Sequence, residues 1–165
     1  MVELACRPVF ILGDPMKIVP TVALFACIVI AGCGSLPGFS PGDIWEAAAK
    51  NDTDAIKTFM DEGVGVNTMD DAGSTPLHAA ARAGATEAIV FLCGRGADPN
   101  AFNKDGFTPL QIAVTSEQRE AVIALLNSGA NINIRSQSGK TALRFAIDYE
   151  AKEIADDLRE RGGVQ

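Results

Sequence analysis

Gly73-Ser74-Thr75-Pro76-Leu77-His78-Ala79-Ala80-Ala81, closing at Gly96-Ala97-Asp98-Pro99-Asn100, is the stretch on which the fold turns. Thirty-three residues later it returns as Gly106-Phe107-Thr108-Pro109-Leu110-Gln111-Ile112-Ala113 and closes at Gly129-Ala130-Asn131-Ile132-Asn133. The same step links Gly73, Gly106 and Gly139; Thr75, Thr108 and Thr141; and Leu77, Leu110 and Leu143. Ala47, Ala80, Ala113 and Ala146 follow it, as do Gly63, Gly96, Gly129 and Gly162, and Asn67, Asn100 and Asn133. A fixed period of this length is the signature of a stacked solenoid, whose units bury their apolar faces only against one another.

Each slot has a local reason. Thr75 and Thr108 suit a helix N-cap followed by proline at the first helical position. Leu77, Ala80 and Ala81 lie at helical spacing, and the small alanines let neighbouring helices approach. A second helix carries Ile89, Leu92 and Cys93 in one unit and Val122, Leu125 and Leu126 in the next. Gly96 and Gly129 suit the positive φ that ends it, and Gly73, Gly106 and Gly139 suit a hairpin turn. Trp45, in the first helix, is expected in the core of the end unit.

The Thr-Pro-Leu-His opening and the Gly-Ala-Asp-x-Asn close resemble the ankyrin repeat, over about residues 43–163. The resemblance implies an all-α solenoid of about four helix-turn-helix units with short hairpin loops, at about 43–69, 70–102, 103–135 and 136–163. The outer two are atypical: the first lacks the Thr-Pro-Leu opening, and the last helix of the fourth is densely charged, as end units require.

The chain has 165 residues and a net charge of −7, which repels phosphate backbones and argues against a nucleic-acid partner. Its apolar excess is concentrated in front of the repeats: from Ile18 to Ala31 only Pro20 and Thr21 are not apolar. Met16-Lys17, this run and the small residues that close it have the order of a secretory signal, and the run is shorter than the ~20 residues of a spanning helix. Ile30-Ala31-Gly32-Cys33 resembles a bacterial lipobox. That resemblance implies a signal peptide at 16–32, acylation of Cys33 and a Gly/Pro/Ser-rich linker at 33–42, with Ser40 and Pro41 opening the first helix. Several acyl chains, at ~0.8 kcal/mol per buried CH2, make a stable anchor where one is marginal. Gly34, rather than Asp, after Cys33 favours the outer membrane in a Gram-negative cell. Residues 1–15, with acidic Glu3 and Asp14, fit a signal badly, and Met16 is the better start. An uncleaved anchor helix or a chance Gly-Cys pair are the plainer alternatives.

Reactive chemistry is sparse. His78 is the single histidine and occupies a slot filled by Gln111 and Arg144 in the next units, so a scaffold role is expected. Cys93 stands in the slot of Leu126, a packing position. No cofactor, metal ligand set or catalytic residue is expected, and binding of another protein is the remaining use. By the ankyrin resemblance, partners meet the hairpin tips and the exposed side of each first helix. The candidates there are Asp71, Lys104, Asp105, Phe107, Gln137 and Lys140 on the tips, with Ser74 beside them. On the helices they are Arg82, Ser116, Asp148 and Tyr149. Phe107 and Tyr149 are the anchors, unless Phe107 packs on its own hairpin, with Arg82 next. The resulting expectation is a monomeric, lipid-anchored, periplasm-facing adaptor or inhibitor at the cell envelope. The alternatives are a cytosolic ankyrin inhibitor whose leader is misread, and an enzyme using the groove.

Overall fold

The computed structural model describes residues 43–164; the N-terminal extension and the expected signal segment, acylated Cys33 and linker lie outside the described residues. Eight helices follow in pairs: α1 (Asp43–Ala49) with α2 (Thr53–Asp61), α3 (Pro76–Ala83) with α4 (Thr86–Gly94), α5 (Pro109–Thr115) with α6 (Arg119–Asn127), and α7 (Ala142–Asp148) with α8 (Lys152–Glu160). No strand occurs among the described residues. The described residues form an all-α solenoid of helix pairs, with the odd-numbered helices packed in one row and the even-numbered in a second.

The capping chemistry sets where each first helix begins. Thr75, Thr108 and Thr141 hold extended backbone immediately before α3, α5 and α7, and proline opens the first two of these helices. Between paired helices the chain must turn sharply, and it does so through a left-handed residue at Asn51, Gly84, Glu117 and Glu150, again 33 apart. This slot is invisible as a glycine pattern because only one of its four residues is glycine. A side chain at Gly84 would run into the amide of Gln118. After each second helix, by contrast, the slot is always glycine: Gly63, Gly96, Gly129 and Gly162 have φ between 87° and 99°. That conformation is sterically costly for any residue bearing a Cβ.

Buried side chains form columns that run through the stack. Ile44, Leu77, Leu110 and Leu143 make one, and Ile56, Ile89, Val122 and Ala155 another. Leu92, Leu125 and Leu158 make a third, all at 0% exposure. Ala80, Ala113 and Ala146 are equally inaccessible, which is how the first helices come close together. Leu125 is fully buried at the middle position of its column, so truncation is expected to leave a cavity inside the core. Leu125→Ala is expected to cost ~2–5 kcal/mol, read as a fall in the urea midpoint at unchanged slope; a loss below ~1 kcal/mol would contradict the column.

Candidate functional site

The hairpins lie where one unit passes to the next. Asp70 N–H donates to Ser74 O at 3.0 Å, Asn103 N–H to Phe107 O at 3.0 Å and Ser136 N–H to Lys140 O at 2.9 Å. Within the turns, Asp70 Oδ1 accepts from Ala72 and Ser74, and Asn103 Oδ1 accepts from Phe107. Carboxylate and amide side chains thus do locally what strand pairing does in a longer hairpin.

Two ladders then fix each hairpin to its neighbour. In the first, Asn67 Oδ1 accepts from Asp98 N–H at 3.0 Å, Asn100 Oδ1 from Asn131 N–H at 2.8 Å and Asn133 Oδ1 from Val164 N–H at 2.9 Å. In the second, a first-helix side chain donates to the carbonyl of the following hairpin: Trp45 Nε1 to Ser74 O at 2.7 Å, and Gln111 Nε2 to Lys140 O at 3.4 Å and Ile134 O at 2.9 Å. His78 holds the equivalent place, with Nε2 at 3.2 Å from Phe107 O. Trp45 is therefore a correction to the sequence reading. It is partly buried and outside the core, its apolar role falls to buried Ile44, and its indole N–H occupies the His78 slot one unit earlier. Arg144, the fourth member, pairs instead with Asp148 at 3.0 Å.

The His78 tautomer follows from its partners. Thr75 N–H can only donate, and it does so to Nδ1 at 3.1 Å. Nδ1 is then the acceptor, and the ring proton sits on Nε2, facing Phe107 O. Burial holds the His78 pKa below its ordinary value. A second proton on Nδ1 would also set two donors against each other. Both ring nitrogens are engaged in the frame, as the sequence slot implied. Cys93 is half-buried with Ser128 as its polar neighbour, and burial pushes its thiol pKa up, away from the thiolate. No group of three or more potential metal ligands occurs among the described residues. A hollow of about 390 Å³ between α7 and α8 is open and lined by Ala146, Ile147 and Ala155 with an Asp156–Arg159 pair at 2.7 Å.

The exposed candidates fall on the hairpin tips and on the first helices. Asp71, Lys104, Asp105, Gln137 and Lys140 are exposed along the tips, and Arg82, Asp148 and Tyr149 along the helices. Several are already joined: Lys104 Nζ donates to Asp71 O at 2.7 Å and Gln137 Nε2 to Lys104 O at 3.5 Å. Lys140 reaches Asp148 at 2.8 Å, and this bond holds the Asp148 carboxyl below the usual carboxylate range. Arg82 enters no ion pair among the described residues, and Tyr149 is 53% exposed. Ser116 is half-buried at the end of α5. Ser74, expected at a tip, is buried because its backbone closes the hairpin. Phe107 is half-buried, but not on its own hairpin: its ring lies 5.5 Å from that of Phe145 in the next unit. Sequence reasoning missed Met69 and Phe102, which are 56% and 47% exposed and 33 residues apart, just before successive hairpins. Their shared register was the available signal.

A family model for ankyrin repeats in three copies matches residues 44–136. A comparison with curated proteins finds no match.

Because the folded His78 pKa is depressed, protonation favours the unfolded chain. The stability this neutral side chain contributes is complete above the unfolded value of about 6.5 and declines as pH falls below it, by up to ~1.4 kcal/mol per pH unit. His78→Gln, which copies the Gln111 arrangement, is expected to fold and to remove that decline between pH 6.5 and 5 in urea titrations. The exposed Asp148–Lys140 contact weakens only at lower pH, below the ordinary carboxylate range, so the two effects separate. An unchanged pH slope in the variant would contradict a depressed His78 pKa.

Proposed function

The chain belongs to the ankyrin-repeat family, a family of protein-interaction modules, and from that premise we propose that it is a membrane-tethered adaptor or inhibitor that grips another protein at the bacterial cell envelope. The observation that carries the binding reading is the contrast between frame and face. Frame slots repeat from unit to unit, whereas the slots closing each first helix hold Arg82, Thr115 and Asp148, then Ala83, Ser116 and Tyr149, exposed in the α3 and α7 units and half-buried in the α5 unit. A surface with no internal repeat on a repeating support suits recognition of one specific partner. The side chains best able to do chemistry, His78 and Cys93, are committed to the frame or raised away from their reactive form.

Arg82 and Tyr149 are the anchors in this reading, since both project without a cross-repeat contact that the fold needs. Aromatic and arginine side chains dominate interface energetics once water is excluded. Phe107 supports the platform from behind through Phe145. The tether is read from Met16-Lys17, the apolar run and the lipobox ending at Cys33. Acylation there would hold the domain beside the bilayer through nine residues of linker, from Gly34 to Gly42. A monomer suffices for such a role.

Two measurements test these parts separately. A palmitate analogue is expected to label the wild-type chain in bacterial cells and not Cys33→Ser. Labelling of neither would remove the tether and leave a soluble adaptor. In-cell crosslinking with mass spectrometry is expected to capture a partner, and Arg82→Ala with Tyr149→Ala to lower the yield at least ~10-fold, about 1.4 kcal/mol, at unchanged melting temperature. Full yield from that double variant would displace the site from this face.

A further inference from the structure

The edge formed by the hairpins is not uniform in charge. Residues 61–74 carry Asp61, Glu62, Asp70 and Asp71 and no cation, a balance of −4. Residues 95–107 carry Arg95 and Lys104 against Asp98 and Asp105, a balance of 0, and residues 128–140 carry only Arg135 and Lys140, a balance of +2. The cations are held in place, and only Lys140 is paired with a carboxylate. Arg95 lies 4.8 Å over the Phe91 ring, Lys104 turns to Asp71 O, Arg135 donates to Gly139 O at 2.8 Å and Lys140 is held by Asp148. Among the described residues, Asp61, Glu62, Asp70 and Asp71 enter no ion pair. Even with the Lys104 ammonium at Asp71 O counted, residues 61–74 keep a balance of −3.

Met69 and Phe102 stand at this same place. They occupy one register in successive stacked units. Large apolar side chains left in water side by side are uncommon on a soluble surface and mark contact sites, and methionine adapts to what it meets.

Resting on the protein-binding reading above, we propose that this edge docks a basic segment of the partner. Two apolar side chains of that segment seat on Met69 and Phe102, and lysines or arginines lie against the carboxylates of residues 61–71. The apolar pair supplies the desolvated contact, and the carboxylates supply steering and polarity. An acidic segment is rejected at the same place by like charge. The edge is distinct from the Arg82–Tyr149 anchors, so the partner spans both or meets the edge first.

The test uses the purified full chain and two synthetic twelve-residue peptides, each with two leucines four positions apart, one with lysines at all flanking positions and one with glutamates. Fluorescence titration is expected to show the lysine peptide binding at least tenfold more tightly than the glutamate peptide, with affinity falling steeply between about 50 and 300 mM salt. Met69→Ser with Phe102→Ser should weaken the lysine peptide at least fivefold while the urea midpoint stays put, because both residues are exposed. Asp71→Asn with Glu62→Gln should weaken it and flatten the salt dependence, and Tyr149→Ala should leave it unchanged. Equal binding of both peptides, or no effect of the Met69/Phe102 pair, overturns the proposal. So does loss on Tyr149→Ala, which moves the contact to the helix face and leaves the adaptor reading intact. Failure of the adaptor reading itself would appear instead as no captured partner in cells.

Discussion

A helix of seven to nine residues does not persist alone in water, and every helix here is of that length. Nucleation costs more than so few hydrogen bonds return. The structure therefore rests on contact between units: leucine on leucine through the even row, alanine against alanine through the odd row, and a polar side chain reaching forward to the next hairpin. None of these is an interaction within one unit. The local devices, threonine caps and glycine exits, decide where helices begin and end, but they do not decide that helices exist.

That division of labour bears on function. The residues with the most versatile chemistry have been drawn into the joints between units. His78 accepts from Thr75 on one nitrogen and faces Phe107 O with the other, leaving no lone pair or proton for a substrate. The same joints hold the hairpins rigidly in sequence, so the exposed side chains between them are presented at fixed separations. A preorganised surface loses less conformational freedom when a partner arrives. Rigidity and recognition here have one source.

What could be read from the chain in advance was whatever the period forces to be the same. Leucine, alanine, threonine and glycine recur because each junction presents the same space and the same backbone, and those slots led to the fold and to the scaffold role of His78. Where a slot's occupants differ in kind, the pattern is silent. Trp45 shares the place of His78 and Gln111, yet tryptophan, histidine and glutamine share no composition class; only the common N–H donor unites them. Phe107 read as an exposed tip because its burial is supplied by Phe145, 38 residues away. Met69 and Phe102 were overlooked because their slot holds Met, Phe and then Arg135, with no identity for the period to reveal. Side-chain exposure is a property of the junction, and a junction is not contained in either sequence segment alone.

The two ladders of forward-reaching bonds have a consequence for descent. Each bond spans one module, and the Trp45, His78 and Gln111 junctions accept different donors at one geometry. Duplicating or excising a whole 33-residue segment would reproduce the joint at either side, whereas a change of any other length would strand donors and acceptors along the seam. Such a molecule can grow or shrink in whole modules, altering the reach of its gripping surface without redesign of what holds it together.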